Sequence, residues 1–317
     1  MARFLFAATA TVLLAVVFTR LSMVLAQHLG VVDYPTDRKK HHRATPLMGG
    51  FAIALTTTII LAFFLEPAVY RSWWPIIVGG WAAWLVGFID DWLKSRGREW
   101  RPLPKLIGQI LAASLPVLAG FRVEVMTNPL GGELVLVPWL SILLTVLWIV
   151  GCMNAVNFID GLDGLAAGVP AIGAFSMFVV AAIMDEPAVA LAALVMAAAN
   201  VGFLRYNFHP ARVFMGDAGA NYIGFFLAGI SVVGYFKSTI SLGMIVPICA
   251  LGLPIYEGFS STLRRLREHR PVYQAGRDHL HYRLMEKGYS QPQVAGLMYL
   301  LAFVLSVSGM IIALASR

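Results

Sequence analysis

Little in this sequence would keep a soluble domain in water: charged side chains make up 13% of it, where a soluble domain carries about a quarter. Cysteine occurs twice, at Cys152 and Cys249, each inside an apolar run, which excludes a disulfide framework and a zinc site built on thiolates. No glycine-rich loop ending in Gly-Lys-Ser/Thr is present, so the ordinary P-loop nucleotidases are excluded. There is no internal repeat, no low-complexity tract and no long linker, and residues 1–317 read as a single integral membrane domain. The net charge of +7 does not indicate nucleic acid, because the basic residues sit in short loops between apolar runs, where anionic lipid headgroups and membrane topology account for them.

Apolar sequence is what the chain has in abundance, with 59% hydrophobic residues and a mean hydropathy of +0.75. Largely uncharged runs occupy 4–26, 47–65, 73–89, 106–121, 134–159, 164–184, 187–204, 218–236, 238–256 and 294–316. Most approach the roughly 17–25 residues that cross a bilayer core as a helix. The expected fold class is therefore all-α, a polytopic membrane protein with about ten transmembrane helices. Arg3 ahead of the first run and Val24-Leu25-Ala26 near its end imitate a secretory signal, but the nine runs that follow, with no soluble domain to export, favour a retained span. Alternate loops carry 18 of the 24 Lys and Arg residues, in the stretches 38–43, 94–105, 205–212 and 264–287. The positive-inside rule makes those loops cytoplasmic and places Arg71, Arg122 and Lys237 outside, with both termini outward.

With that orientation every unusual polar cluster falls on the cytoplasmic face. The central one is Asn154-Ala-Val-Asn157-Phe-Ile-Asp160-Gly161-Leu-Asp163-Gly164, with an oxygen-bearing side chain at every third position. At about 100° per residue, nine residues sweep roughly half a revolution, so the four cannot share one helical face and the helix should end inside the motif. A polar turn between spans needs one such residue, not four. The paired acids Asp90-Asp91, followed by Lys94, repel each other unless a divalent cation or a shared proton intervenes. Asp217 lies between Gly216 and Gly219 at the start of an uncharged run, where a carboxylate is costly without a cation. Arg38, Lys39 and His41 belong to a proline-bounded basic loop suited to anionic lipid or phosphate. The segment 277–284 is expected to be an amphipathic helix, with Leu280 and Leu284 on one side and a cationic stripe of His279 and Arg283 on another. Carboxylates, a divalent cation and a rim of Arg and His describe phosphoryl transfer, and the bilayer suggests that one substrate is a lipid.

The motifs Arg38-Lys39-Lys40-His41, Pro46-Leu-Met-Gly49-Gly50, Phe214-Met-Gly-Asp217-Ala-Gly219 and Asp278-His279-Leu-His281, in this order, resemble those of the polyprenyl-phosphate N-acetylhexosamine-1-phosphate transferases, and the likeness extends from Asp33 to Arg283. The chain is most similar to the bacterial undecaprenyl-phosphate N-acetylglucosamine-1-phosphate transferases. The resemblance implies that undecaprenyl phosphate attacks the sugar-bearing phosphate of a UDP-N-acetylhexosamine, releasing UMP, with magnesium or manganese as cofactor. It implies an enzyme of the bacterial inner membrane that starts O-antigen or a related envelope glycan, in contact with membrane lipids and with a homodimer as the candidate assembly. It makes Asp90, Asp91 and Asp160 catalytic, with Asp90 as the base that keeps the lipid phosphate ionised, and it makes Asp217 and Asp91 metal ligands. Asn157 matches a position near the metal and diphosphate. Asp163, Asn207 and Phe214 match the uridine pocket, while His279, His281 and Arg283 match the loop that holds diphosphate and sugar. Tyr282 departs from the pattern, since many relatives carry a second consecutive histidine there. Two other readings compete: the transferase that uses UDP-N-acetylmuramoyl-pentapeptide, and a cation-coupled transporter. A transporter usually places its charges near the midplane between repeated halves, which this sequence does not do.

Overall fold

A computed structural model describes residues 2–34, 44–98, 100–127, 133–237, 245–268 and 279–315. Its elements in chain order are α1 (Ala2–Leu29), β1 (Val32–Asp33), β2 (Thr45–Pro46), α2 (Gly49–Phe64), α3 (Pro67–Ser72), α4 (Trp74–Lys94) and α5 (Pro102–Leu118), then β3 (Val125–Thr127), β4 (Glu133–Val135), α6 (Pro138–Ile159), α7 (Leu165–Ile183) and α8 (Pro187–Asn207), and finally α9 (Gly216–Lys237), α10 (Ile245–Ala250), α11 (Gly252–Arg267), α12 (Leu280–Glu286) and α13 (Gln291–Ala315). The protein is thus overwhelmingly helical, and its only described strands form two short antiparallel hairpins, β1–β2 and β3–β4. Proline opens α3, α5, α6 and α8, where its fixed φ suits the first turn and its missing N–H costs nothing.

Six helices among the described residues are long and apolar enough to cross a membrane: α1, α4, α6, α7, α8 and α13. α2 and α5 are apolar but shorter, at 16 and 17 residues, and α9 runs for 22 residues. The run expected at 238–256 is not one helix. Residues 238–244 lie outside the described residues, and the remainder is divided at Leu251 between α10 and α11. Pro254 explains the division, because in a continuous helix its ring would clash with the carbonyl four residues back, at Ala250.

α8 and α9 are buried nearly all round and form the centre of the bundle, whereas α1 and α13 keep one apolar face outward. Close backbone approach holds α9 in place. A Cβ on Gly87 of α4 would collide with the peptide that joins Asp217 to Ala218, and one on Gly50 of α2 would collide with Gly219. These contacts bring the C-terminal end of α4 and the N-terminal end of α2 onto the first turn of α9. Two backbone bonds complete the junction: Gly49 N donates to Phe214 O at 3.1 Å and Gly50 N to Met215 O at 3.0 Å.

Candidate active site

The two adjacent acids at the end of α4 point in different directions, as neighbours on a helix must. Asp91 faces the start of α9, where its Oδ1 accepts from Asp217 N and its Oδ2 from Ala218 N, both at 3.0 Å. The first N–H groups of a helix lack internal partners and carry positive partial charge, so a carboxylate there satisfies both needs. Gly216 turns the chain into this position with a left-handed φ of 74°, a conformation that side chains rarely adopt.

Asp217 is thereby held with its own carboxylate facing Asp90. Its Oδ1 accepts from Asn157 Nδ2 at 3.0 Å, and its Oδ2 receives Lys94 Nζ at 2.7 Å and Lys105 Nζ at 2.5 Å. The same two ammonium groups lie 3.2 and 2.8 Å from Asp90 Oδ2. Two lysines from α4 and α5 are therefore shared between two carboxylates from α4 and α9. Asp160, the residue that ends α6, adds a further acid whose carboxyl is pushed up to about 7 by burial and by the charge of Asp217. α6 thus stops inside the central motif, as its spacing required, and Gly164 opens α7 with a left-handed φ of 79°.

The residues expected to line a uridine pocket are tied to the backbone. Asp163 Oδ2 accepts from Ala211 N at 3.1 Å and lies 2.8 Å from His209 Nδ1. Buried Asn207 accepts from Gly164 N at 3.1 Å and donates to Val213 O at 2.8 Å, so its amide is used at both ends. These bonds fasten the 160–164 turn to the 207–214 loop. Phe214 is half-buried beside them, its N–H donating to Pro46 O at 2.8 Å.

His279 and His281 are buried rather than displayed, their rings stacked 5.5 Å apart over Glu257 of α11. Their Nδ1 atoms lie 3.4 and 3.5 Å from the Glu257 carboxylate, and Leu280 N donates to Glu257 Oε2 at 2.9 Å. Burial alone would raise this carboxyl, but the imidazoles and the Leu280 N–H outweigh it and hold it down to about 2. A Cβ on Gly161 would lie 2.5 Å from His281 Nε2 and 2.8 Å from the Tyr282 hydroxyl, so the α12 segment rests directly on the central motif. The expected cationic stripe does not form: Arg283 is exposed while His279 is buried, and Leu280 and Leu284 pack against protein. Arg38, Lys39 and His41 lie outside the described residues.

Sequence reasoning assigned no site role to Lys94, Lys105 or Glu257. Lys105 carried a signal, since a cation near the start of a helix opposes the dipole and implies an acidic partner. Glu257 carried a similar one, as an acid directly after an apolar run. For a divalent cation the donor chemistry of two residues fits: Asp90 and Asp217 supply hard carboxylate oxygens, and the space between them already attracts two positive charges, although among the described residues no three acids or histidines converge tightly enough to enclose an ion by themselves.

Residues 73–235 match glycosyl transferase family 4. A probable undecaprenyl-phosphate N-acetylglucosaminyl 1-phosphate transferase of Bacillus subtilis is 33% identical, across 98% of this chain and 86% of its own. The decaprenyl-phosphate N-acetylglucosaminephosphotransferase of Mycobacterium tuberculosis is 36% identical, across 87% of this chain and 74% of its own. The phospho-N-acetylmuramoyl-pentapeptide-transferase of Desulforudis audaxviator is 32% identical, across 88% and 87%. Similarity of this extent makes the chain a member of glycosyl transferase family 4, the polyprenyl-phosphate N-acetylhexosamine-1-phosphate transferases.

Proposed function

We propose that this protein transfers N-acetylglucosamine 1-phosphate from UDP-N-acetylglucosamine to undecaprenyl phosphate, releasing UMP, at the cytoplasmic face of a bacterial inner membrane. The product would begin an envelope polysaccharide such as O-antigen. The observation that carries the reading is the pair of lysines shared between Asp90 and Asp217 at one end of an apolar bundle. Cations held there meet phosphate oxygens at the level of a lipid headgroup, and positioning with charge neutralisation is most of what phosphoryl transfer asks of a protein. Acids gathered at one edge, not at the midplane, favour an enzyme over a transporter.

In this reading Asp90 keeps the acceptor phosphate ionised, while Lys94 and Lys105 swing from the carboxylates to the phosphates. Asp217, oriented by Asn157, would hold magnesium with Asp90 and Asp160 alongside; Asp91, expected with Asp217 as a metal ligand, has both oxygens engaged by the first N–H groups of α9 and in this reading serves the site by fixing the backbone of Asp217. Bound there, the metal would neutralise charge on the diphosphate oxygens. Asp163, Asn207 and Phe214 shape the nucleotide side, and His279, His281 and Arg283 the sugar side. Arg38, Lys39 and His41 would complete the rim toward the lipid phosphate.

The muramoyl-pentapeptide relative keeps a second donor in view. The Tyr282 ring, centred 4.3 Å from that of His281 and close to Gly161, occupies space beside the motif and favours a compact sugar. Incubation of the purified protein with undecaprenyl phosphate and a panel of UDP-sugars tests this. UMP should be released with UDP-N-acetylglucosamine and not with UDP-N-acetylmuramoyl-pentapeptide, and the opposite outcome would reverse the assignment.

A further inference from the structure

Beneath the charged cluster lies a second polar layer made of three amides. Gln109 of α5, Asn154 of α6 and Asn221 of α9 meet inside the bundle, Gln109 and Asn221 being fully buried. Gln109 Nε2 donates to Asn221 Oδ1 at 3.1 Å, and Asn154 Nδ2 donates to Gln109 Oε1 at 3.0 Å and to Val150 O at 2.8 Å. Each amide stands one helical turn from a member of the cluster above it. Gln109 follows Lys105 by four residues, Asn221 follows Asp217 by four, and Asn154 precedes Asn157 by three. The same three helices therefore supply one residue to each layer.

α5 has special need of such a link. Its buried residues are Gln109, Ala112, Ala113 and Pro116, while Leu103, Leu106, Ile107 and Leu111 face outward. Small apolar side chains bury nearly the same surface after a modest slide or rotation, so they define the register of a helix weakly. Amide hydrogen bonds are directional and hold in one register only. Lys105 depends on that register, since its ammonium must lie within 2.8 Å of Asp90 and 2.5 Å of Asp217 at once. Lys94 has no such dependence, because α4 is set against α9 by the contact at Gly87.

We propose that Gln109 is a positioning residue, which locks α5 to α6 and α9 and so holds the Lys105 ammonium against Asp90 and Asp217. Gln109 touches no reacting atom. Its role is to be read through Lys105 and not through Lys94. The kinetic part of the test rests on the phosphotransfer reading above, and the chemical part does not.

The test is a pair of double-mutant cycles on the full-length protein, with UMP release from UDP-N-acetylglucosamine and undecaprenyl phosphate as the readout. Gln109→Leu should lower kcat/KM by about tenfold or more. In a Lys105→Met background the same change should cost less than about twofold, and in a Lys94→Met background it should keep its full effect. Equal losses in both backgrounds, or no loss in an otherwise active protein, would overturn the proposal. The second arm reads lysine reactivity, with an amine-acylating reagent and peptide mass spectrometry. Gln109→Leu should label Lys105 several-fold faster and leave Lys94 unchanged, and unchanged labelling of Lys105 would also overturn it. Should the unmodified protein release no UMP from any donor, the phosphotransfer reading fails and the labelling arm alone decides about Gln109. Gln109→Asn, which keeps the amide but shortens its reach by one methylene, replaces the leucine variant if that one does not accumulate, with the same pattern expected.

Discussion

The backbone N–H of Asp217 donates to Asp91 Oδ1 at 3.0 Å, so the second acid of an adjacent pair holds the helix that delivers the acid of another motif. Asp90, one residue earlier, instead faces two lysines. Asp91→Asn leaves one acceptor oxygen for two N–H donors, and an unsatisfied buried donor costs about 1–3 kcal/mol. The Tm of Asp91→Asn in detergent should fall clearly below that of Asp90→Asn, while Asp90→Asn should lose turnover with little change in Tm. Equal drops in Tm would remove the distinction between the two acids.

Asp217→Asn keeps the side-chain size but removes the charge that gathers Lys94 and Lys105. Turnover should fall by about a hundredfold or more, with the protein still inserted in the membrane. Retention of magnesium-stimulated turnover by this variant would take Asp217 out of the proposed metal set.

Asp160 gives a pH dependence with a definite sign. Its folded-state value, pushed up to about 7 from 3.8, means that the native protein binds a proton which the unfolded chain has lost across that interval. Stability should therefore decline as pH rises through the window and level off above about 7. Asp160→Asn should flatten the decline. Magnesium, by adding positive charge beside the carboxylate, should shift the levelling to lower pH, and chelation should restore it. Profiles of Tm against pH that ignore both the substitution and the metal would contradict the placement of Asp160 near the metal.

Glu257 supports His279 and His281 from below, and its lowered carboxyl remains ionised down to about 2. Glu257→Gln should raise KM for the UDP-sugar by about tenfold with a smaller change in kcat, since it loosens groups assigned to binding. A change in kcat alone would move the histidines to the chemical step.

Topology can be tested independently of chemistry. Single cysteines introduced beside Arg122 should react with a membrane-impermeant thiol reagent in intact cells, and those beside Arg212 or Lys94 should react only after lysis. The reverse pattern would invert the molecule and take the active site out of reach of cytoplasmic nucleotide.

The sequence by itself determined the class and the end of α6 inside the Asn154–Gly164 motif. Those properties depend on composition and on local periodicity, which neighbouring residues suffice to express. It also marked His279 and His281, but not that they are buried against Glu257. The residue pattern did not separate Asp90 from Asp91, since adjacent acids read alike until the partner of each is known, and the separate roles expected of them came from the family resemblance. Asp91 became a cap for α9, and Lys94 and Lys105 the cations between Asp90 and Asp217, only when α4, α5 and α9 were packed together. Gln109 and Asn221 are 112 residues apart in the chain, yet they share a 3.1 Å hydrogen bond. Contacts of this kind are decided by which helix faces meet, and that depends on the close packing of small residues such as Gly87 and Gly50, whose position in a list of amino acids does not name the surface they will touch.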